Sequence, residues 1–227
     1  MKVAILQSNY IPWKGVFDMI NQVDTFVFFE DVDYTSRDWR TRNKIRGTNS
    51  DTWLTVPVKK APRGTKISEI TIVQDNWAKK HKKTIVQSYS KAPYFEEYKY
   101  ILDEIYDRKW SNLSEFNIYT TKLICKVLGI ECKFVNSKDL ASEGKKDDKL
   151  LSICEILGAS EYLSGPAAMD YIDPEKFLQK NIKLSFMDYS KYREYDQFHG
   201  GFEHYVSVLD LIFNCGDNAK YYIENKL

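Results

Sequence analysis

The opening of this chain is the feature that most constrains its fold. Lys2-Val-Ala-Ile-Leu-Gln7 is a short apolar run rich in β-formers, and Asn9-Tyr-Ile-Pro-Trp-Lys-Gly15 breaks it. Val16, Phe17, Met19, Ile20 and Val23 then recur at helical spacing, and Thr25-Phe-Val-Phe-Phe29 is a second apolar run of strand length. The start therefore reads β-loop-α-β. Further on, Glu131–Val135 reads as strand, Asp148–Leu157 as helix closed by Gly158, Glu161–Leu163 as strand, Pro174–Lys180 as helix and Lys183–Met187 as strand. Alternation of this kind implies a parallel sheet with crossover helices.

Between the second and third of these strands the pattern changes. Thr52–Val58 and Ile67–Val73 alternate as strands around a Pro62-Arg-Gly64 turn and are expected to pair as a hairpin. Trp77–Tyr89, Tyr94–Trp110 and Leu113–Leu128 carry helical periods, the second behind Pro93 and the third ending at Gly129. No repeat, low-complexity tract or Gly/Ser linker divides the chain. The expected architecture is one α/β domain over residues 1–227, a Rossmann-like, mostly parallel sheet. A hairpin plus helical insertion over residues 47–128 caps its carboxyl edge, where such folds bind ligands.

Composition excludes several classes. Lys plus Arg number 33 against 32 for Asp plus Glu, a formal net charge of +1, so no global field attracts nucleic acid or an anionic membrane. No apolar run approaches the roughly 18 residues that span a bilayer, and the N-terminus turns polar too soon for a signal peptide, so a cytoplasmic location is expected. Cys125, Cys132, Cys154 and Cys215 are scattered and read as reduced, mostly buried thiols, and His81, His199 and His204 have no metal-ligand spacing, so no structural metal is expected. The 16 Tyr and 5 Trp exceed what a core alone uses, which places some of them on a ligand surface.

Five places along the chain carry candidate chemistry. Gln7-Ser-Asn-Tyr-Ile-Pro-Trp-Lys-Gly15 leads into a helix N-terminus, whose free N–H groups and dipole favour an anion, and Lys14 would add a point charge. It contains no standard nucleotide motif, and the alternative is an ordinary βα turn in which Pro12 and Trp13 pack. The polar segment from Glu30 to Arg46 follows the second strand and lacks a clean period. In it Asp31 is suited to general base or Mg²⁺ work, Arg37, Arg42 and Lys44 to holding phosphate or carboxylate, and Tyr34, Trp39 and Asn43 to ligand contact, the alternative being a solvated loop. Lys59 and Lys60 form a basic cluster suited to a lid, or plain turn charges. His81, one helical turn after Trp77, reaches a cleft or packs, and Ser164-Gly165-Pro166 offers backbone donors to an oxyanion.

In order along the chain, Gln-x-Asn-Tyr-x-Pro-Trp-Lys-Gly-x-Phe-Asp-x-Ile, Asp-Thr-Phe-Val-Phe-x-Glu-Asp-Val-x-Tyr and Arg-Asp-Trp-Arg-Thr-Arg-Asn-Lys-Ile resemble the WbqC-like protein family. So do Trp53–Lys59, Ala92–Phe95, Tyr162–Pro166 and Ser207–Gly216, so that the resemblance covers nearly the whole chain. It implies a bacterial protein of O-antigen or other surface-polysaccharide (lipopolysaccharide) assembly, hence sugar substrates. From that context, together with the clustered Lys/Arg and aromatic residues, the expected function is a cytoplasmic transferase that modifies a nucleotide-linked amino sugar by N-acyl or aminoacyl transfer. Asp31, Arg37 and His81 would be catalytic, and Gln7, Asn9, Tyr10, Trp13, Lys14, Tyr34, Trp39, Arg42, Asn43, Lys59, Lys60, Trp77, Ser164, Gly165 and Pro166 would bind substrate. Its partners would be the nucleotide sugar and an acyl or aminoacyl donor, with a nucleotide as the other possible cofactor. The loop after the first strand also resembles, distantly, the His-x-Gly-His loop of nucleotidyltransferases, with Pro12 and Val16 where the histidines would stand. An ATP-dependent ligase or nucleotidyltransferase-like enzyme and a non-catalytic sugar-nucleotide-binding module are the alternatives.

Overall fold

The computed structural model of the protein describes residues 1–47 and 50–224. Strands β1 (Lys2–Leu6), β2 (Thr25–Phe28), β5 (Lys133–Asn136), β6 (Glu161–Ser164) and β7 (Lys183–Phe186) form a parallel sheet of order β5-β2-β1-β6-β7. The α/β, Rossmann-like expectation holds. Strand β2 is buried along its whole length and β1 along its centre, which is why both read as apolar runs, whereas the outer β5 and β7 are half-exposed.

Period-two alternation sends side chains to opposite faces. Ala4, Phe26 and Phe28 pack beneath α1 (Lys14–Asn21), α5 (Leu113–Val127) and α8 (Val208–Cys215). Val3, Ile5 and Val27 meet α6 (Asp147–Leu157) and Phe177 of α7 (Pro174–Gln179) on the other face. Each face buries its own apolar cluster, so the sheet lies between two helical layers. Gly129 and Gly158, where α5 and α6 end, take left-handed φ values of 61° and 69°, a conformation that costs glycine little.

The stretch from β2 to β5 holds α2 (Trp77–Tyr89), α3 (Phe95–Tyr98), α4 (Tyr100–Tyr106) and the expected hairpin in corrected form. Strand β4 (Thr52–Thr55) pairs not with residues 67–73 but with β3 (Arg42–Ile45), antiparallel, Arg42 facing Thr55 and Ile45 facing Thr52. Ile67–Glu69 is a 3-10 turn, and the pairing read from sequence survives only as an isolated Val58–Ile72 bridge. The helix expected over Tyr94–Trp110 stops at Tyr106, and Trp110 folds back so that its indole N–H donates to the Ile105 carbonyl at 2.8 Å. Residues 48 and 49 of the expected insertion lie outside the described residues.

Among the described residues no helix is long and apolar enough to cross a membrane, and no three His, Cys, Asp or Glu side chains gather as metal ligands. The cysteines are free thiols, Cys132 half-buried and the others buried.

Candidate functional site

In this strand order β2 and β5 lie to one side of β1 and β6 and β7 to the other, so the chain reverses its direction of winding between β1 and β6. A crevice opens at the carboxyl ends of the strands at such a point. A cavity of about 310 Å³ lies at this edge, lined by Asn9, Pro12, Trp13, Trp39, Asn43, Tyr189 and Tyr205. Three separate pieces of chain build it: the loop after β1, the approach to β3 with β3 itself, and the segment after β7.

The first piece is held in a strained turn. Ile11 is fully buried at φ 33°, outside the regions that a β-branched residue ordinarily adopts. The Asn43 side-chain amide fastens it by donating to the Ile11 carbonyl at 2.8 Å and the Tyr10 carbonyl at 3.3 Å, and the Tyr10 N–H donates to the Trp39 carbonyl at 2.9 Å. The Tyr10 phenol runs inward to His81 Nδ1 at 2.7 Å and the Tyr106 hydroxyl at 2.6 Å. Trp13 precedes α1, and its indole lies over Gly15, where any Cβ would stand 2.6 Å from the indole Cε2.

The walls are aromatic and uncharged. Trp13 meets Tyr189 edge-on at 4.8 Å and Tyr205 at 5.1 Å between ring centroids, while Trp39 tilts against Trp53 at 5.7 Å. Trp39 is 49% and Tyr205 57% exposed, large apolar rings left open to solvent at the cavity's edge. Asn9 and Asn43 supply polar amides, the usual makeup of a site for a small organic ligand. The Arg42 guanidinium stacks on Trp53 at 4.7 Å and makes no ion pair among the described residues, whereas Lys44 is tied to Asp51 and Glu203 at 3.1 and 3.3 Å and Arg46 to Asp51 at 2.9 Å.

Of the residues singled out from sequence, Asn9, Trp13, Trp39 and Asn43 come together in this cavity, with Arg42 beside it. Others lie elsewhere. Asp31 pairs with Lys149 and accepts from the Ser137 hydroxyl; partial burial pushes its carboxyl up, but these contacts together outweigh it and hold the group below its ordinary value. His81 packs with Trp77 and Tyr106 inside the helical layer, and burial pulls its imidazole down to about 4 against an opposing pull from the Thr55 backbone and Asp75. Tyr10 and Trp77 are core side chains of the same stack. Arg37, Lys59 and Lys60 are exposed, Gln7 and Tyr34 half-buried, and none of them lines the cavity. Ser164 is buried against the Tyr162 hydroxyl at 3.3 Å, and Gly165-Pro166 opens a 3-10 turn after β6. The Lys14 ammonium is buried rather than presented to an anion, and donates to the Arg193 carbonyl at 3.1 Å.

Sequence reasoning missed Pro12, Tyr189 and Tyr205 as wall residues and Glu30 as a supporting one. Glu30 is fully buried, accepts from the Ser8 N–H at 2.8 Å and hydroxyl at 3.1 Å, and burial raises its carboxyl against the pull of Ser114, Ser8 and Arg40. It thus anchors the start of the loop that carries Asn9. The only available signal for the tyrosines was their excess in the composition.

A family model described as the WbqC-like protein family matches residues 7–222, which takes in every cavity residue. The uncharacterized protein Rv1507c of Mycobacterium tuberculosis is 43% identical over 224 residues, covering 98% of this chain and 97% of that protein. No solved structure matches. The chain belongs to the WbqC-like protein family.

Proposed function

We propose that this protein is a transferase that modifies a nucleotide-linked amino sugar, by N-acyl or aminoacyl transfer, in surface-polysaccharide assembly. The observation that supports this reading best is the cavity itself. A ring-sized, aromatic-walled, uncharged space suits a pyranose, whose C–H face packs on indole or phenol while a hydroxyl bonds the Asn9 carboxamide, the Asn43 amide being already engaged by the Ile11 and Tyr10 carbonyls. Arg42, stacked on Trp53 and in no ion pair among the described residues, would meet the phosphates of a ligand whose ring enters the cavity. Acyl transfer would form a C–N bond between the sugar amine and the donor carbonyl, release the donor's leaving group and pass the amine proton to a base. Asp31 and His81 are poorly suited to that last step, one being engaged by Lys149 and the other enclosed by Tyr10. Residues 47–128 would act as the cap, Trp53 packing on Trp39 of the wall.

A thermal-shift series with UDP-, dTDP-, GDP- and CDP-sugars tests this reading. A ligand at a hundredfold excess over its Kd adds about 2.7 kcal/mol, or roughly 5–10 °C for a chain of this size. The expected result is a shift with one nucleotide sugar that Trp39→Ala abolishes and Arg42→Ala weakens. No shift with any of them, or a shift indifferent to both substitutions, would overturn it. A non-catalytic binding module is the second reading, favoured by a wall without carboxylate, imidazole or thiol. Binding with no turnover of any acyl donor would decide for it.

A further inference from the structure

The cavity's third wall comes from a long stretch with no helix or strand between β7 and α8, and what holds that stretch down is unusual. Tyr192 donates to Asp18 of α1 at 2.6 Å, and Tyr195 donates to the fully buried Asp210 of α8 at 2.8 Å. Between these two anchors lies Lys14, 2% exposed, in no ion pair among the described residues. Its ammonium stands 4.9 Å from the Tyr192 ring, 5.3 Å from Tyr195 and 5.6 Å from Phe202, and it donates to the Arg193 carbonyl. All four of these partners belong to the stretch that ends in Tyr189 on one side and Tyr205 on the other. A buried ammonium with a single hydrogen bond among the described residues is costly, and attraction to the ring faces is the compensation that this geometry offers.

We propose that Lys14 is a positioning residue, its caged ammonium fastening residues 188–206 to the start of α1 and so holding Tyr189 and Tyr205 in place as the cavity wall. This goes beyond the proposed transferase reading and stands whatever ligand the cavity takes. The attraction exists only while the amine is charged. Burial pulls Lys14 down to about 8, opposed by Cys215, Glu194 and Asp210, so that the charge is lost just above neutrality. The ionisable groups that face it are Glu194, His204 and the phenols of Tyr192 and Tyr195 from the stretch, and Asp210 and Cys215 from α8. Burial also raises the Asp210 carboxyl, against the pull of the Tyr195 and Tyr89 hydroxyls, and the Lys14 substitutions below separate its titration from that of the lysine. Burial and the Lys14 charge pull His204 below its ordinary value, burial pushes the Cys215 thiol up to about 12, and both phenols are raised by burial and by their carboxylate partners.

Incorporating 5-fluorotryptophan, with resonances assigned by Trp→Phe substitutions, places a reporter on Trp13, which touches both Tyr189 and Tyr192. Between pH 6.5 and 9.5 the Trp13 resonance of the native chain is expected to move with a midpoint near 8, while that of buried Trp77 stays put. In Lys14→Met the transition disappears. At pH 7, amide exchange across 188–206 becomes about tenfold faster in that variant, while its melting temperature is unchanged or higher, because an apolar side chain replaces a buried charge. A merely space-filling lysine would give the opposite pairing, a lower melting temperature with no titration to lose. If Lys14→Met fails to fold, Lys14→Arg, charged across the whole range, is expected to lack the transition in the same way. A flat Trp13 resonance in the native chain, or the same midpoint in either variant, would overturn the proposal.

Discussion

Replacing Gly15 by alanine is the most direct probe of how the loop after β1 shapes the cavity. Glycine in the first turn of a helix is ordinarily a site for improvement, since alanine gains about 1 kcal/mol in helix propensity. Here the added methyl group would run into the Trp13 indole, with the Cε2 and Cη2 atoms of the ring at 2.6 and 2.7 Å and another ring atom closer still. Two responses are open. If the backbone yields and the indole stays, overpacking costs about 1–3 kcal/mol. If the indole swings away, its contacts with Tyr189 and Tyr205 are lost, at about 0.5–1.5 kcal/mol for each ring pair, and the cavity loses one wall. Either route leaves Gly15→Ala about 0–2 kcal/mol less stable after the propensity gain, a drop in Tm of up to roughly 8 °C. Urea unfolding followed by tryptophan fluorescence measures it, and the same substitution in a Trp13→Phe background supplies the control. There the clash is relieved and alanine is expected to stabilise, so the cycle gives a coupling of about 1–3 kcal/mol between the two positions. A Gly15→Ala protein that is more stable than the parent by about the full propensity gain, with the coupling absent, would refute the account of Trp13 as a ring held in place by a missing Cβ.

Further perturbations test the supports of the cavity. Asn43→Ala strips the buried Tyr10 and Ile11 carbonyls of their shared donor and is expected to cost about 1–3 kcal/mol in urea unfolding, with the strained Ile11 turn relaxing. Asp210→Ala leaves the Tyr89 and Tyr195 hydroxyls without an acceptor in the core, an expected loss of about 3 kcal/mol or more, readable as a melting-temperature drop of roughly 6 °C or more. Asp31 is held below its ordinary value of about 3.8 in the folded state, so its contribution is present above that pH and disappears as pH falls through the lower folded value. Asp31→Asn is therefore expected to be less stable than the parent at pH 7 and to converge with it as pH falls below the ordinary carboxylate value in denaturant titrations, and a gap that persists unchanged at acid pH would count against the Lys149 pair as its cause.

The fold was legible wherever burial on both faces or a helical stripe left a pattern. Strands β1 and β2 were found to within a residue because they are central, and α2 matched at both ends because Trp77, His81, Ile85 and Tyr89 recur every four residues on its buried face. Strand β3 was missed for a physical reason. It alternates in burial, Asn43 and Ile45 inside and Arg42 and Lys44 half-out, but its inner face begins with an asparagine spent on two loop carbonyls. An amide in a core position erases the apolar half of the alternation, so β4 was assigned the next alternating partner downstream. The Tyr189 and Tyr205 wall was illegible because residues 188–206 have no period at all, and they are held by phenol-to-carboxylate bonds across 174 and 15 positions of sequence.

Several residues assigned to a ligand from sequence serve the cavity at one remove. Tyr10 and His81 face the core, yet their hydrogen bond, with Tyr106, fixes the loop from within, while Asn43 and the Trp39 carbonyl fix it from the hairpin side. A left-handed isoleucine costs about 1–3 kcal/mol and persists only where its surroundings over-determine it. A simple βα turn has no use for such expenditure; glycine at position 11 would relieve it. What the strained geometry gains is the placement of Asn9 and Trp13, on either side of Ile11, in the wall of one cavity at the reversal point of the sheet. Strain held from two sides, beside an open aromatic surface, is the pattern expected of a preorganised binding site, and under the proposed function the loop from Asn9 to Gly15 would meet the ligand from one side while Trp39 and Arg42, from the segment after β2, meet it from the other.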